Sequence, residues 1–289
     1  MLKQRIITAV ILLLGLILAT TLLSSFNFAI LIALIVLLAS WEWGGFIGLT
    51  DIKSRLGYSA TLAVMLIGLF FMLRVTPAAE SIDSLRASLI LGLGLLFWLA
   101  VLLMLKDYPH NAEHWNDKSK TATMGLLTLL PTWVGIVQLK YLLEQGYLVF
   151  ALVIMVSAVD IGAYFAGIRF GHNKLAPQLS PNKSWEGVWG GLSLCLLLGL
   201  LLIWALHTYL LKLDPLQIGL LILLSLAVTF FDVIGDLMES MLKRNRHIKD
   251  SGALLPGHGG ILDRVDGLIA VVPSFVLTLL LVLSDLGDL

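Results

Sequence analysis

Long runs of apolar residues alternate with short polar segments along the whole chain. Two runs, "IITAVILLLGLILATTLL" (6–23) and "SLILGLGLLFWLAVLLML" (88–105), reach the roughly 18 apolar residues that a bilayer-spanning helix needs. The pattern predicts about nine spans, at 6–23, 27–47, 57–75, 88–105, 122–140, 147–169, 187–211, 215–237 and 262–283. Glycines interrupt the second and third runs, so a count of eight stays open. The predicted fold is an all-α, polytopic membrane helix bundle.

The composition supports a single integral-membrane domain over residues 1–289. The chain is 58% hydrophobic and 13% charged, whereas soluble domains carry about 25% charged residues. No polar stretch is long enough to fold separately. The first run leads directly into a second one and lacks a clear cleavage site, so we expect it to be a retained helix. The formal net charge is zero, which gives no indication of a nucleic-acid partner.

The distribution of basic residues predicts the orientation. If the N-terminus is cytoplasmic and nine spans cross, fifteen of the 19 basic residues lie on the inside. Those on the outside are Arg74, Arg86, Lys140 and Lys212. This bias fits the positive-inside rule. The polar segments 106–121, 170–186 and 238–261 are then all predicted on the cytoplasmic side.

One predicted span contains an acid where lipid is expected. Asp160 lies within "FALVIMVSAVDIGAYFAGIRF" (150–170), and an ionisable group at that depth usually faces the bundle interior or a water-filled cavity. Tyr164 and Gly167 follow at i+4 and i+7, so they share its helix face. Gly162 and Ala166 form a second strip of small residues, which predicts close helix packing.

The inner end of the eighth predicted span carries a polar stripe. Asp232, Asp236 and Ser240 recur at i, i+4 and i+8, and Lys243 follows Ser240 at i+3. Carboxylates bind hard cations and lysine binds phosphate oxygens, so the stripe is suited to metal and phosphate. The alternative is that the basic residues only anchor the helix end among lipid headgroups. We expect that simpler role for Arg246.

The most polar stretch of the chain is "KRNRHIKDSGALLPGHGGILDRVDG" (243–267). Its "PGHGG" segment (256–260) lets backbone amides come close to a ligand. Asp263 and Asp266 lie at the start of the last predicted span; the helix dipole explains one acid there, but two are harder to explain this way. Glu42, in "WEWGG", is either a buried polar contact or an interfacial residue, and the sequence assigns it no function.

Residues 240–266, "SMLKRNRHIKDSGALLPGHGGILDRVD", resemble the hallmark motif of the phosphatidate cytidylyltransferases, also called CDP-diacylglycerol synthases. In words, the motif is Ser-x-x-Lys-Arg, four residues, Lys-Asp-x-Gly, then Pro-x-His-Gly-Gly-x-x-Asp-Arg-x-Asp. Every fixed element is present. Upstream, "DIGAYFAGIRFGHNKLAPQLSPNKSWEG" (160–187) is also similar, although Ile161 stands where the family usually has serine or threonine. The first 150 residues resemble the family only in hydropathy.

The resemblance implies transfer of the cytidylyl group from CTP to phosphatidic acid, giving CDP-diacylglycerol and pyrophosphate for phospholipid synthesis. It implies Mg²⁺ dependence, with a second cation left open. Residues 1–150 would be N-terminal transmembrane helices, and 151–289 the catalytic helices with their cytoplasmic loops. The active site would lie on the cytoplasmic side of a cell membrane, in a bacterium the inner membrane.

The resemblance also implies roles for individual residues. Asp236 and Asp263 are the expected metal ligands. The expected phosphate-binding and catalytic residues are Asp160, Lys183, Ser240, Lys243, Arg244, Lys249, Asp250, His258, Arg264 and Asp266. Tyr164 and the amides of Gly259 and Gly260 would complete the substrate site.

Two other functions remain open at the level of sequence. A CTP-dependent lipid kinase, such as the polyprenol kinases that resemble this family, would transfer the γ-phosphoryl group. An ion-coupled transporter would use Asp160, Asp232 and Asp236 to carry protons or cations. The sequence leaves the oligomeric state open, including a homodimer.

Overall fold

The structure, a computed structural model, describes residues 2–210 and 212–284. The predicted seventh span reaches residue 211, which lies outside the described residues, as do residues 1 and 285–289 of the predicted single domain. In chain order, the described residues form α1 (Leu2–Leu22), α2 (Ser25–Ile47), α3 (Ile52–Met72), α4 (Ser84–Lys106), α5 (Ala112–Trp115), α6 (Lys118–Leu142), α7 (Tyr147–Phe170), β1 (Lys174–Ala176), β2 (Ser180–Ser184), α8 (Trp185–Ala205), α9 (Pro215–Asn245) and α10 (Leu262–Ser284).

The all-α bundle is confirmed, and among the described residues eight helices are long and apolar enough to cross a membrane. They are α2, α3, α4, α6, α7, α8 with the π-helical turn Leu206–Leu210 that continues it, α9 and α10. The first predicted span corresponds to α1, whose apolar part Ile7–Leu22 is shorter than these. The ninth crossing therefore stays a prediction.

Polar caps explain why several helices begin earlier than their apolar runs. Asp51 accepts a hydrogen bond from the Ser54 amide before α3, and Asp83 accepts one from the Arg86 amide before α4. Each cap satisfies a backbone donor that has no partner within the helix. The apolar runs predicted starts at residues 57 and 88, because hydropathy alone misses the polar first turn.

The largest difference from the prediction lies at the end of α9. The predicted span ends at residue 237, but the helix continues to Asn245, as the helical spacing of Ser240 and Lys243 implies. Glu239 and Lys243 form an i, i+4 ion pair of 2.5 Å on this extension, and basic residues in the last turn interact favourably with the helix dipole. Ser240, Lys243 and Arg244 therefore project from a rigid helix.

At the centre of the bundle α10 packs against both α9 and α6, and α6 packs against α2. Trp133 of α6 is fully buried and donates its indole N–H to the carbonyl of Ala29 on α2 at 3.0 Å. Cys195 is also fully buried on α8, as expected for a small apolar residue. The strands β1 and β2 form an antiparallel hairpin between α7 and α8 that the sequence did not predict.

The helices α7 and α8 pack backbone against backbone, as the strip of small residues predicts. A Cβ atom added at Gly190 of α8 would lie 2.7 Å from the carbonyl oxygen of Gly162 on α7 and would collide with the Cβ of Ala166. The contact needs residues without side chains because the helices are held together by close packing within the membrane.

We expect Gly190→Ala to lower stability by about 1–3 kcal/mol, since the added methyl group has no room. The matched control is Gly68→Ala on α3, where a Cβ would meet nothing within 4 Å. Thermal unfolding of the detergent-solubilised chains measures both variants. Equal unfolding temperatures for the two variants would show that the contact between α7 and α8 accommodates the added methyl group, which would contradict the prediction.

Candidate active site

Several polar segments that the sequence predicts on one side meet at one end of the bundle. The Tyr108 hydroxyl, in the segment after α4, donates to the Asn245 side chain at the end of α9 at 3.2 Å. Arg244 donates to the carbonyl of Leu179, in the turn of the hairpin, at 3.4 Å. Segments 106–121, 170–186 and 238–261 therefore lie at the same end.

Arg246 has a more specific contact than the headgroup anchoring that the sequence suggests. Its guanidinium donates to the carbonyls of Phe46 and Ile47 at 2.6 and 2.9 Å. These carbonyls belong to the last turn of α2, where acceptors lack partners within the helix. Arg246 therefore ties the segment after α9 to α2.

A cavity of about 290 Å³ opens between α7, α9 and the start of α8. Its polar lining includes Asp160 from α7, Asp232 and Asp236 from α9, and Lys183 from β2. Tyr164 and Gly167 also line it, which confirms that they share a helix face with Asp160. The remaining lining residues are Val159, Ala163, Asn182, Ser184, Gly187, Val188 and Val233.

Asp236 is the best connected acid of this cavity. Lys183 lies 2.6 Å from one of its oxygens, and the Ser240 hydroxyl donates to the other at 3.3 Å. Its side chain is 36% exposed, so a ligand in the cavity can reach it. Asp232 lies one turn deeper and is only 5% exposed.

A second charged cluster lies on α9 and the start of α10. The Lys243 ammonium is 2.5 Å from Glu239 and 2.9 Å from Asp263, and both acidic side chains are nearly buried. One oxygen of Glu239 is buried and has no hydrogen-bond partner among the described residues. It lines a small cavity of about 20 Å³ together with Asp266.

The two clusters belong to one electrostatic system. Asp266 interacts with the charges of Asp236, Lys183 and Lys243. Asp160 interacts with Lys183, Asp236 and Arg264. Coulombic interactions therefore link the acids of the two clusters, although these acids line two separate cavities.

Asp263 organises the glycine-rich loop 246–261, which joins α9 to α10. Its second oxygen accepts hydrogen bonds from the amide of Ser251 at 2.9 Å, the hydroxyl of Ser251 at 2.9 Å and the amide of Gly260 at 2.8 Å. The Gly260 amide thus points into the protein, whereas the sequence assigns it to a phosphate. Its contribution here is to hold the loop.

The outer part of the loop and the first turn of α10 are exposed and carry charged side chains. Lys249, Asp250 and Arg264 are exposed to solvent. Arg264 donates twice to the carbonyl of His258, at 3.1 and 2.9 Å. Gly259 follows with a φ of +87°, a conformation that glycine adopts without strain. The loop thus presents cationic side chains beside the cavity.

Two acids that the sequence analysis did not place are part of this end of the bundle. Glu239 contacts Lys243, and Glu42 accepts hydrogen bonds from the amides of Ile261 and Leu262. The signal for Glu42 was available, since it lies in a predicted span, where an acid is expensive and needs a partner; Glu239 falls two residues beyond the predicted eighth span. The partner of Glu42 could not be identified because it lies more than 200 positions away.

The donor set fits a hard divalent cation completed by substrate. In the part of the chain that the structure describes, no three His, Cys, Asp or Glu side chains form a group able to hold a metal. Mg²⁺ usually takes only one or two carboxylates, with waters and substrate phosphates as the other ligands. Asp160 and Asp236 offer such oxygens to one cavity, while Asp263 already receives a lysine and three hydrogen bonds.

Comparison with known proteins shows which family the chain belongs to. The family model described as "Cytidylyltransferase family" matches residues 3–282. The chain belongs to the cytidylyltransferase family. It is 41% identical over 276 residues to the phosphatidate cytidylyltransferase of Pseudomonas aeruginosa, covering 95% of this chain and 96% of the relative.

Two further relatives carry the same name. The phosphatidate cytidylyltransferase of Haemophilus influenzae is 37% identical over 290 residues, covering 95% of this chain and 97% of the relative. That of Bacillus subtilis is 39% identical over 157 residues, covering 52% and 56%. The full-length matches show that family membership extends to the first 150 residues, for which the sequence offered only hydropathy.

Within this cytidylyltransferase, Lys243→Met should lower stability by about 3 kcal/mol, because Glu239 and Asp263 would be left without a cation in a nearly buried site. Adding Glu239→Gln should recover part of the loss by removing one unpaired charge. Lys183→Met is the matched control: its partner Asp236 is more exposed, so we expect a loss of less than about 1 kcal/mol.

Thermal unfolding in detergent measures the three variants. A double variant no more stable than Lys243→Met alone would contradict the idea that the unpaired carboxylates cause the loss.

Proposed function

We propose that this chain is a phosphatidate cytidylyltransferase that converts CTP and phosphatidic acid to CDP-diacylglycerol and pyrophosphate. The observation that carries the proposal is the cavity with Asp160, Asp236 and Lys183, beside a basic loop at the same end of a membrane bundle. The full-length relatives with this name support the same activity.

The chemistry requires little of the protein beyond charge and position. A phosphate oxygen of phosphatidic acid attacks the α-phosphorus of CTP, the bond to the bridging oxygen of the β-phosphate breaks, and pyrophosphate leaves. The nucleophile is already an anion, so no protein group has to remove a proton from a hydroxyl. The barrier comes from bringing two anions together in line, which cationic groups lower.

The basic residues at this end are suited to that task. Lys183 reaches into the cavity, and Lys243 lies in the second cluster. Lys249 belongs to the loop, and Arg244 and Arg264 lie on either side of it in the sequence. We assign Lys183 to the lipid phosphate and the loop residues to the triphosphate. The His258 carbonyl binds Arg264 and the Ser240 hydroxyl binds Asp236, so we assign both side chains as further hydrogen-bond donors to the substrate.

The cavity also suits a lipid. Its walls combine charged groups with Val159, Ala163, Val188 and Val233, so an amphiphile can place its phosphate on Lys183 and its glycerol against apolar side chains. The exposed apolar faces of α7 and α8 leave room for acyl chains beside the cavity. A purely soluble substrate would not need these walls.

Mg²⁺ fits the proposed site as an ion shared between protein and substrate. Asp236 and Asp160 would hold it in the cavity, Asp263 is the further predicted ligand, and a second cation is compatible with the remaining acids. When bound, the ion would neutralise phosphate charge and polarise the α-phosphoryl group.

We further propose that the site faces the cytoplasm and that the N-terminus is on the same side. The basic bias of the segments at this end supports this orientation, and CTP is a cytoplasmic solute. In a bacterium the membrane would be the inner membrane. The hydroxyl of Thr8, near the start of α1, donates to the Pro256 carbonyl of the loop at 3.0 Å, so the N-terminal helix begins at this end.

CTP labelled at different positions tests the function directly. With the purified chain, phosphatidic acid and Mg²⁺, we expect α-³²P to enter the lipid and γ-³²P to leave as pyrophosphate. Transfer of γ-³²P to the lipid would identify a lipid kinase. Incorporation of neither label would favour the transporter hypothesis. The family membership and the basic loop favour the first outcome.

Asp236→Asn should abolish synthesis while leaving expression and membrane insertion intact, because asparagine keeps the shape but removes the charge that faces Lys183 and a cation. Asp263→Asn should have the same effect through the loop and Lys243. Asp232→Asn should be milder, since that side chain is buried one turn deeper. Turnover measured over a range of Mg²⁺ concentrations checks all three. Wild-type rates in both of the first two variants would exclude these roles.

A further inference from the structure

Glu42 is an almost completely buried acid in the last part of α2, with 3% of its surface exposed. One of its oxygens accepts a hydrogen bond from the Ile261 amide at 3.0 Å. The other accepts from the Leu262 amide at 3.0 Å and lies 3.4 Å from the Ser251 hydroxyl, whose single proton is shared with the nearer Asp263. Its carboxylate therefore accepts from two backbone amides of a distant part of the chain and contacts a hydroxyl there.

Two of these donors are the amides at the start of α10. The first amides of a helix have no partners within it and carry the positive end of the helix dipole. Such a terminus commonly binds an anion or a side chain close in sequence. Here the anion is supplied by another membrane helix, so Glu42 caps α10 from α2.

The glycines of the loop are fitted around this carboxylate. A Cβ atom at Gly252 would lie 2.8 Å from the carboxyl carbon of Glu42, and one at Gly260 would lie 2.6 Å from a carboxyl oxygen. These positions therefore need glycine so that the loop can close over Glu42. The glycines that the sequence links to a phosphate are at least partly required by this internal contact.

The contacts of Glu42 lead directly to the second charged cluster. Ser251 donates both its amide and its hydroxyl to Asp263, and Gly260 donates its amide to the same oxygen. Asp263 in turn pairs with Lys243. Glu42 and Asp263 thus both contact Ser251, and they accept hydrogen bonds from the neighbouring amides of Ile261 and Gly260.

We propose that Glu42 is a positioning residue for nucleotide binding: it fixes the glycine-rich loop and the start of α10, so that Lys249, His258 and Arg264 face the triphosphate. The inference rests on the proposed role of this loop in binding CTP. Glu42 itself does not contact the substrate. Its effect is expected on the nucleotide and not on the lipid, whose phosphate is assigned to Lys183.

The test is Glu42→Gln in the full-length chain, reconstituted in lipid nanodiscs. Glutamine has nearly the same shape, but its NH₂ group would face one of the backbone amides, so at least one donor loses its acceptor. We expect the KM for CTP to rise about tenfold or more, while the KM for phosphatidic acid changes less than about twofold. Glu42→Asp keeps an acceptor-only group and should retain more CTP affinity than Glu42→Gln.

Ser40→Ala is the matched control for damage to α2. Ser40 is also fully buried on this helix, but its hydroxyl bonds to the Leu37 carbonyl and the Ser59 hydroxyl, away from the loop. It should leave both KM values unchanged. Hydrogen exchange gives a second measurement: peptides containing Ile261 and Leu262 should exchange faster in Glu42→Gln, and not in Ser40→Ala.

Lys249→Ala, tested in parallel, separates the inference from the role of the loop. A raised KM for CTP in Lys249→Ala with normal kinetics and exchange in Glu42→Gln would overturn the positioning role alone. An unchanged KM for CTP in both variants would instead overturn the assignment of the loop to the nucleotide. Equal increases in both KM values of Glu42→Gln, with a lowered unfolding temperature, would reduce Glu42 to a general structural role.

Discussion

The need to pair buried charges governs the organisation of this protein. Lys243 lies between Glu239 and Asp263 at 2.5 and 2.9 Å, where the two carboxylates are nearly buried. Without the ammonium, two acids would face each other in a medium that solvates them poorly. The pairing fixes α9 against α10, and through Asp263 it also fixes the loop that connects them. The position of the loop beside the cavity follows from these contacts.

The sequence predicted the parts of the fold that depend on local composition. Eight of the predicted spans coincide with long apolar helices, and the small-residue strip of α7 packs on α8 as expected. The helix starts were less accurate, because caps such as Asp83 are polar and lie outside the apolar run. The end of α9 was predicted only in part: hydropathy ends the span at residue 237, whereas the spacing of Ser240 and Lys243 indicates further helical turns.

The candidate site was predictable where its residues form a local pattern. Asp232, Asp236 and Ser240 repeat on one helix face, and Asp160 and Tyr164 do so on another, so their arrangement could be anticipated. That α7 and α9 would face the same cavity, with Lys183 reaching in from a hairpin, depends on tertiary packing that periodicity does not report. Glu42 illustrates the same limit, since its donors lie in another quarter of the chain.

The length of α9 also has a consequence for how this protein can vary. Asp236 faces Lys183, and Glu239, three residues later, faces Lys243. One uninterrupted helix therefore sets the orientation of both clusters. Each added residue would turn everything beyond it by about 100°. A single insertion between these two acids would leave the cavity intact while turning Lys243 away from Asp263. Gains and losses of residues should therefore not be tolerated along this part of the helix, whose phase links the two halves of the site.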